Sequence, residues 1–148
     1  MPPIADRTAQ TTWEGSLTKG TGRVTGASGG FGELGVTWAS RTERSNGQTS
    51  PEELIAAAHS SCFAMALSHE LRQGGHEPVR LDVRAVVTLE LVDDAPTVTR
   101  SALTVSGSAE GIDAAAFEAA AQSAGRNCPI SRLLGGSAEI TIEAALAG

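Results

Sequence analysis

The side chains best suited to chemistry in this 148-residue chain are its two cysteines, Cys62 and Cys128. Cys62 stands in "SPEELIAAAHSSCFAMALSHEL", which runs from Ser50 to Leu71, and Cys128 stands in "GRNCPISRLL". A thiol reacts as its thiolate, so a working cysteine needs a nearby cation or N–H donors that lower its pKa. For Cys62 the candidates are His59, one helical turn earlier, and Arg41 and Arg44 of "SRTERSNG". Cys128 precedes Pro129. If "PISRLL" forms a helical turn, Cys128 sits at its N-terminus, where backbone N–H groups favour a thiolate. Each residue also has a plainer reading: cysteines serve as small buried hydrophobes, and a histidine on an apolar helix face is often a hydrogen-bonded core residue.

The elements that must position these residues can be read from spacing. Ser50 suits a helix N-cap, Pro51 the first turn, and Glu53 completes a capping-box arrangement. Leu54, Ile55, Ala58, Cys62, Met65, Ala66 and His69 follow at three- and four-residue spacing, which predicts one shared face. The helix should end near "RQGGHEP". Upstream, "TTWEGSL", "GRVTGAS" and "LGVTWAS" read as strands of a glycine-punctuated meander. Downstream, "RLDVRAVVTLELV" alternates apolar and polar residues, "DDAP" turns the chain, and "TVTRSALTVSGSA" returns as a less regular strand. "IDAAAFEAAAQSAGRN" is a helix capped by Asp113 that stops before Pro129, and "AEITIEAAL" is a last alternating strand. Strands and helices mix without a βαβ rhythm, so the class is α+β with a mostly antiparallel sheet.

Length predicts a single domain over 1–148. A core with 3% aromatic residues is built from small aliphatic side chains, and burying surface in a partner subunit would help it. The net charge of −6, with no Lys/Arg cluster, argues against a nucleic-acid surface. No stretch is long and apolar enough for a transmembrane helix. "MPPIADRTAQ" lacks a signal-peptide pattern, so the expected compartment is the cytoplasm. Two cysteines in a reducing compartment fit a transient or catalytic disulfide better than a permanent staple, if they meet.

"SPEELIAAAHSSCFAMALSHEL" together with "NCPIS" closely resembles the OsmC branch of the OsmC/Ohr hydroperoxide-reducing proteins. "WEGSLTKGTGRVTG" and the closing Ala-Glu-Ile-Thr strand look like the same branch, so the resemblance spans about Thr12 to Leu146. It implies a thiol peroxidase without metal or haem, in which Cys62 reduces a hydroperoxide and Cys128 resolves the resulting sulfenic acid as a disulfide. It implies that Arg41 holds Cys62 as thiolate and polarises the O–O bond, with Arg44 the second choice, and that Glu52 pairs with the arginine and orients it. It also implies an intertwined homodimer with active sites at the interface, organic hydroperoxide substrates and a dithiol reductant such as a lipoylated protein.

Helix geometry agrees with a shared site. Glu52 and Cys62 are ten residues apart, about 15 Å along one helix, so Glu52 would serve the Cys62 of a second subunit crossing antiparallel. Phe63, Met65, Leu54, Ile55 and Ala58 could supply apolar surface for the alkyl part of a substrate, or could be ordinary core. Two other functions compete. His59, Cys62 and Cys128 could ligate zinc, although no Cys-x-x-Cys pair is present. The chain could instead bind apolar metabolites without catalysis, which the presence of both cysteines disfavours.

Overall fold

The computed structural model describes residues 2–147. The chain forms two compact units, one running to Leu54 and a second starting at Ile55. In the first, β1 (Ala9–Glu14), β2 (Thr21–Gly26) and β3 (Leu34–Val36) form an antiparallel sheet in sequential order, the expected meander. The third strand is shorter than "LGVTWAS" suggested. Thr37 adopts extended geometry, its hydroxyl accepts from Ser40 N–H, and its own N–H donates to Ser40 Oγ in return. That capping box converts "WAS" from strand to α1 (Trp38–Thr42). Val24 is the sole buried apolar side chain among the described residues of this unit, and every residue of β1 is exposed.

Helix α2 (Pro51–Gln73) begins where its N-cap signal lies, with Glu53 N–H donating to Ser50 Oγ at 3.1 Å. The second half of the expected capping box is diverted: Glu53 Oε1 accepts from the Thr49 hydroxyl at 2.5 Å. The buried face of α2 also differs from the expected one. His59, Phe63, Leu67 and Leu71 are fully or almost fully buried, whereas Met65 is 74% exposed and His69 is exposed. The buried stripe is a strict four-residue repeat, to which Cys62 and Ala66 are edge members.

In the second unit, β4 (Pro78–Val92) and β5 (Ala95–Ala109) pair as a long antiparallel hairpin. Its two-residue turn puts Asp93 and Asp94 at φ of 50° and 64°, the left-handed pair that matches strand twist. A register shift between Thr88 and Leu89 leaves Thr99 of β5 unpaired, and toward the turn Leu91, expected on the apolar face, and Val92 are both exposed. Helix α3 (Ala114–Asn127) is capped by Asp113, whose carboxylate accepts from Ala116 N–H at 2.8 Å. Cys128, extended ahead of Pro129, ends α3 and caps α4 (Pro129–Leu134). The chain then returns as β6 (Glu139–Leu146), parallel to β5. Helices α3 and α4 are the crossover that this one parallel pair requires.

The core of this unit joins Phe63, Leu67 and Leu71 of α2, Leu103 and Val105 of β5, Phe117, Ala121 and Ala124 of α3, and Cys128. Phe63 has no exposed surface. Phe63→Ala should therefore cost about 3–5 kcal/mol, read as a lowered denaturation midpoint in urea.

Candidate active site

The second unit brings the two cysteines together. Cys128 is fully buried at the junction of α3 and α4, and Cys62 is half-buried on α2. Cys62 packs against the buried cluster that contains Cys128, close enough for the Cys128 side chain and the Ile130 backbone N–H, in the first turn of α4, to act on its thiol. Both thiols are free. Burial pushes the Cys62 thiol above its ordinary value, the Ile130 N–H pulls it down, and Cys128 pushes it up again through its hydrogen bond and its charge. The net direction is upward, opposite to what a nucleophilic thiolate needs. The two thiols are thus neighbours, and Cys62 would need a nearby cation to be a thiolate near neutrality.

His59 is not that cation. It is fully buried, with Nδ1 2.6 Å from Ser101 Oγ on β5 and Nε2 2.8 Å from Ser131 Oγ on α4. Burial lowers its pKa and favours the neutral ring. The core-residue reading of His59 is the one the structure supports. Both ring nitrogens are engaged, so a zinc site with Cys62 and Cys128 would first have to break one of these bonds. Because the unfolded chain takes up a proton at an ordinary imidazole pKa and the folded chain resists it, this contribution to stability is complete above about pH 6.5 and declines below it. Urea midpoints should therefore fall between about pH 7 and about pH 5, and fall less in His59→Gln. An equal fall in both proteins would contradict this assignment.

The first unit builds a second charged group. Arg41, at the end of α1, donates from Nε to Glu52 Oε1 at 3.0 Å and from Nη2 to Oε2 at 2.9 Å. This is the two-pronged geometry in which a guanidinium is held most firmly. Arg41 also lies over the Trp38 ring, 6.0 Å from its centroid. Ser40 Oγ donates to Thr49 O at 2.8 Å, and Thr49 N–H donates to Gly35 O at 2.9 Å, fixing α1 against the segment that leads into α2. Glu52 is buried and Arg41 half-buried, so the ion pair is partly shielded from water. Arg44 lies exposed beyond the end of α1.

Ser101, Ser131 and the Ile130 N–H escaped sequence reasoning. Ser101 had a signal: it occupies an inward position in step with Leu103 and Val105, where an apolar residue is expected. Of the five residues offered as substrate surface, Phe63 belongs to the core; Leu54 and Ile55 are half-buried, and Ala58 and Met65 exposed.

A family model described as OsmC-like protein matches residues 44–143. The chain is 40% identical over 134 residues to peroxiredoxin OsmC of Escherichia coli, covering 90% of this chain and 92% of that protein. It is 29% identical over 106 residues to organic hydroperoxide resistance protein OhrA of Bacillus subtilis, covering 71% and 73% respectively. Among solved structures, the organic hydroperoxide resistance protein OhrB of Bacillus subtilis shares the fold with a TM-score of 0.74 at 22% identity, over 93% of this chain and 98% of that one. The corresponding resistance protein of Elizabethkingia anophelis gives a TM-score of 0.75 at 20% identity, over 99% and 100%. With the family pattern running from Arg44 through both cysteine motifs into β6, and a relative matched over nearly its whole length, the chain belongs to the OsmC-like protein family.

Proposed function

We propose that the protein is a cysteine-based peroxidase that reduces organic hydroperoxides to alcohols. The observation that carries this reading is the juxtaposition of Cys62 with Cys128 and the Ile130 N–H. The names of the matched relatives, a peroxiredoxin and a hydroperoxide resistance protein, support the same reaction class. The Cys62 thiolate attacks one peroxide oxygen; an S–O bond forms, the O–O bond breaks, and the alkoxide leaves as the alcohol after taking a proton. The Cys128 sulfur then attacks the Cys62 sulfenic acid, closing the S–S bond and releasing water. A dithiol, such as a lipoylated protein, returns both cysteines to thiols by exchange. Arg41, held by Glu52, supplies the positive charge that Cys62 lacks.

Ten residues of α2 separate Glu52 from Cys62, about 15 Å of helix, so the reading places Arg41 and Glu52 of one subunit beside Cys62 of the other in a homodimer. A first unit with one buried apolar side chain and an exposed Trp13, Leu17 and Phe31 supports a partner that covers it. On this reading residues 1–148 work as one OsmC-like domain, repeated in each subunit. The reading puts the protein in the reducing cytoplasm, where a Cys62–Cys128 disulfide would be transient.

Steady-state assays with lipoamide or thioredoxin as donor test the proposal. Cumene hydroperoxide should be preferred to hydrogen peroxide by about 100-fold in kcat/KM, the effect of burying roughly three to four CH₂ groups at ~0.8 kcal/mol each. Equal rates would remove the apolar-pocket argument. No peroxide-dependent loss of free thiol with either substrate would favour a non-catalytic binding protein instead.

A further inference from the structure

We propose that His59 is a positioning residue that holds the Cys128 segment in register with Cys62 and so sets how readily the two sulfurs join. The proposal rests on the reading of Cys62 and Cys128 as a redox pair. Helix α2 carries His59 and Cys62 three residues apart, and the start of α4 carries Cys128 and Ser131 three residues apart. These residues meet in antiparallel sense as two rungs. One is Cys62 with Cys128 and the Ile130 N–H; the other is His59 Nε2 with Ser131 Oγ at 2.8 Å. A third tie, His59 Nδ1 to Ser101 Oγ at 2.6 Å, fixes the imidazole to the central strand of the sheet.

The chemistry of the imidazole suits this bridge. A neutral ring offers one N–H and one lone pair, and a serine hydroxyl can donate or accept, so both bonds are made without a charge. His59, Ser101 and Ser131 are all buried, and no buried side-chain polar atom among the described residues lacks a partner. Apolar residues could fill this space, but they would not fix the position of α4 along α2. Disulfide formation is sensitive to that position, because a bond of about 2 Å must close between sulfurs carried by two separate segments.

The test uses the whole protein in glutathione redox buffers and needs no peroxide. Two cysteine thiols there pass two electrons and two protons to glutathione disulfide, giving the Cys62–Cys128 disulfide and two molecules of glutathione. Ser131→Ala should shift this equilibrium toward the dithiol by about tenfold, equivalent to about 30 mV. His59→Asn, whose amide can replace Nδ1 toward Ser101 but not reach Ser131, should do the same. His59→Gln, whose amide reaches the Nε2 position, should stay within about threefold of wild type, as should Ser101→Ala. Melting temperatures measured alongside register the general structural cost, which should not follow this split. Equal constants for His59→Asn and His59→Gln, or a Ser131→Ala constant equal to wild type, would overturn the clamp alone. A wild type that forms no intramolecular disulfide would overturn the redox-pair reading, and the clamp with it.

Discussion

Cys62→Ser should reduce peroxidase turnover to the rate of buffer alone, a loss on the order of 10⁴-fold or more, with the fold intact. A serine hydroxyl is almost never ionised near neutrality and does not form the S–O bond that carries the oxygen away. Cys62 is half-buried at the edge of the core, and the change is small, so urea midpoints should move little. Peroxide-dependent loss of free thiol, followed with a thiol reagent, should vanish in this variant although Cys128 remains. Cys128→Ser should behave differently: it should react once and then stall as a sulfenic acid that dimedone traps. Normal steady turnover by Cys128→Ser would remove the resolving role.

Arg41→Ala carries the second largest expected effect, a fall of about 10²–10³ in kcat/KM. The direction follows from the cysteine itself. Burial and Cys128 push the Cys62 thiol up, and neutral His59 offers no compensating charge, so an external cation must favour the thiolate. Arg41→Lys should recover only part of the loss, because an ammonium cannot reproduce the two-pronged bond to Glu52. If the site is shared between subunits, Arg41→Ala and Cys62→Ser chains refolded together should complement. Random pairing makes half the dimers mixed, each with one complete site, so about a quarter of wild-type activity should return. No recovery from a mixture shown to contain mixed dimers would place both residues in the same chain's site.

How much of this was legible depended on how local each signal is. Ser50, Pro51 and Glu53 mark the start of α2 because capping is decided within one turn. Asp113 and Pro129 bound α3 for the same reason. The buried face of α2 was not legible. Ala56, Ala57, Ala58, Ala64 and Ala66 make nearly every side of that helix mildly apolar, so spacing offers little contrast between the Met65 and Phe63 faces. Only packing against Leu103 and Phe117 selects the Phe63 face. "WAS" looked like strand because Trp and Val favour strands, and a Thr37–Ser40 side-chain exchange overrode that preference. The anchoring of His59 rests on Ser101 and Ser131, which lie 42 and 72 residues from it. No local pattern reports contacts at that separation.

The most direct test of the peroxidase account is peptide mass mapping under non-reducing conditions after one equivalent of cumene hydroperoxide. The account predicts that the peptides containing Cys62 and Cys128 become joined, with the loss of two hydrogens, as one equivalent of cumyl alcohol appears. Stoichiometric alcohol without that cross-link, or cysteines left unchanged while the peroxide persists, would contradict it.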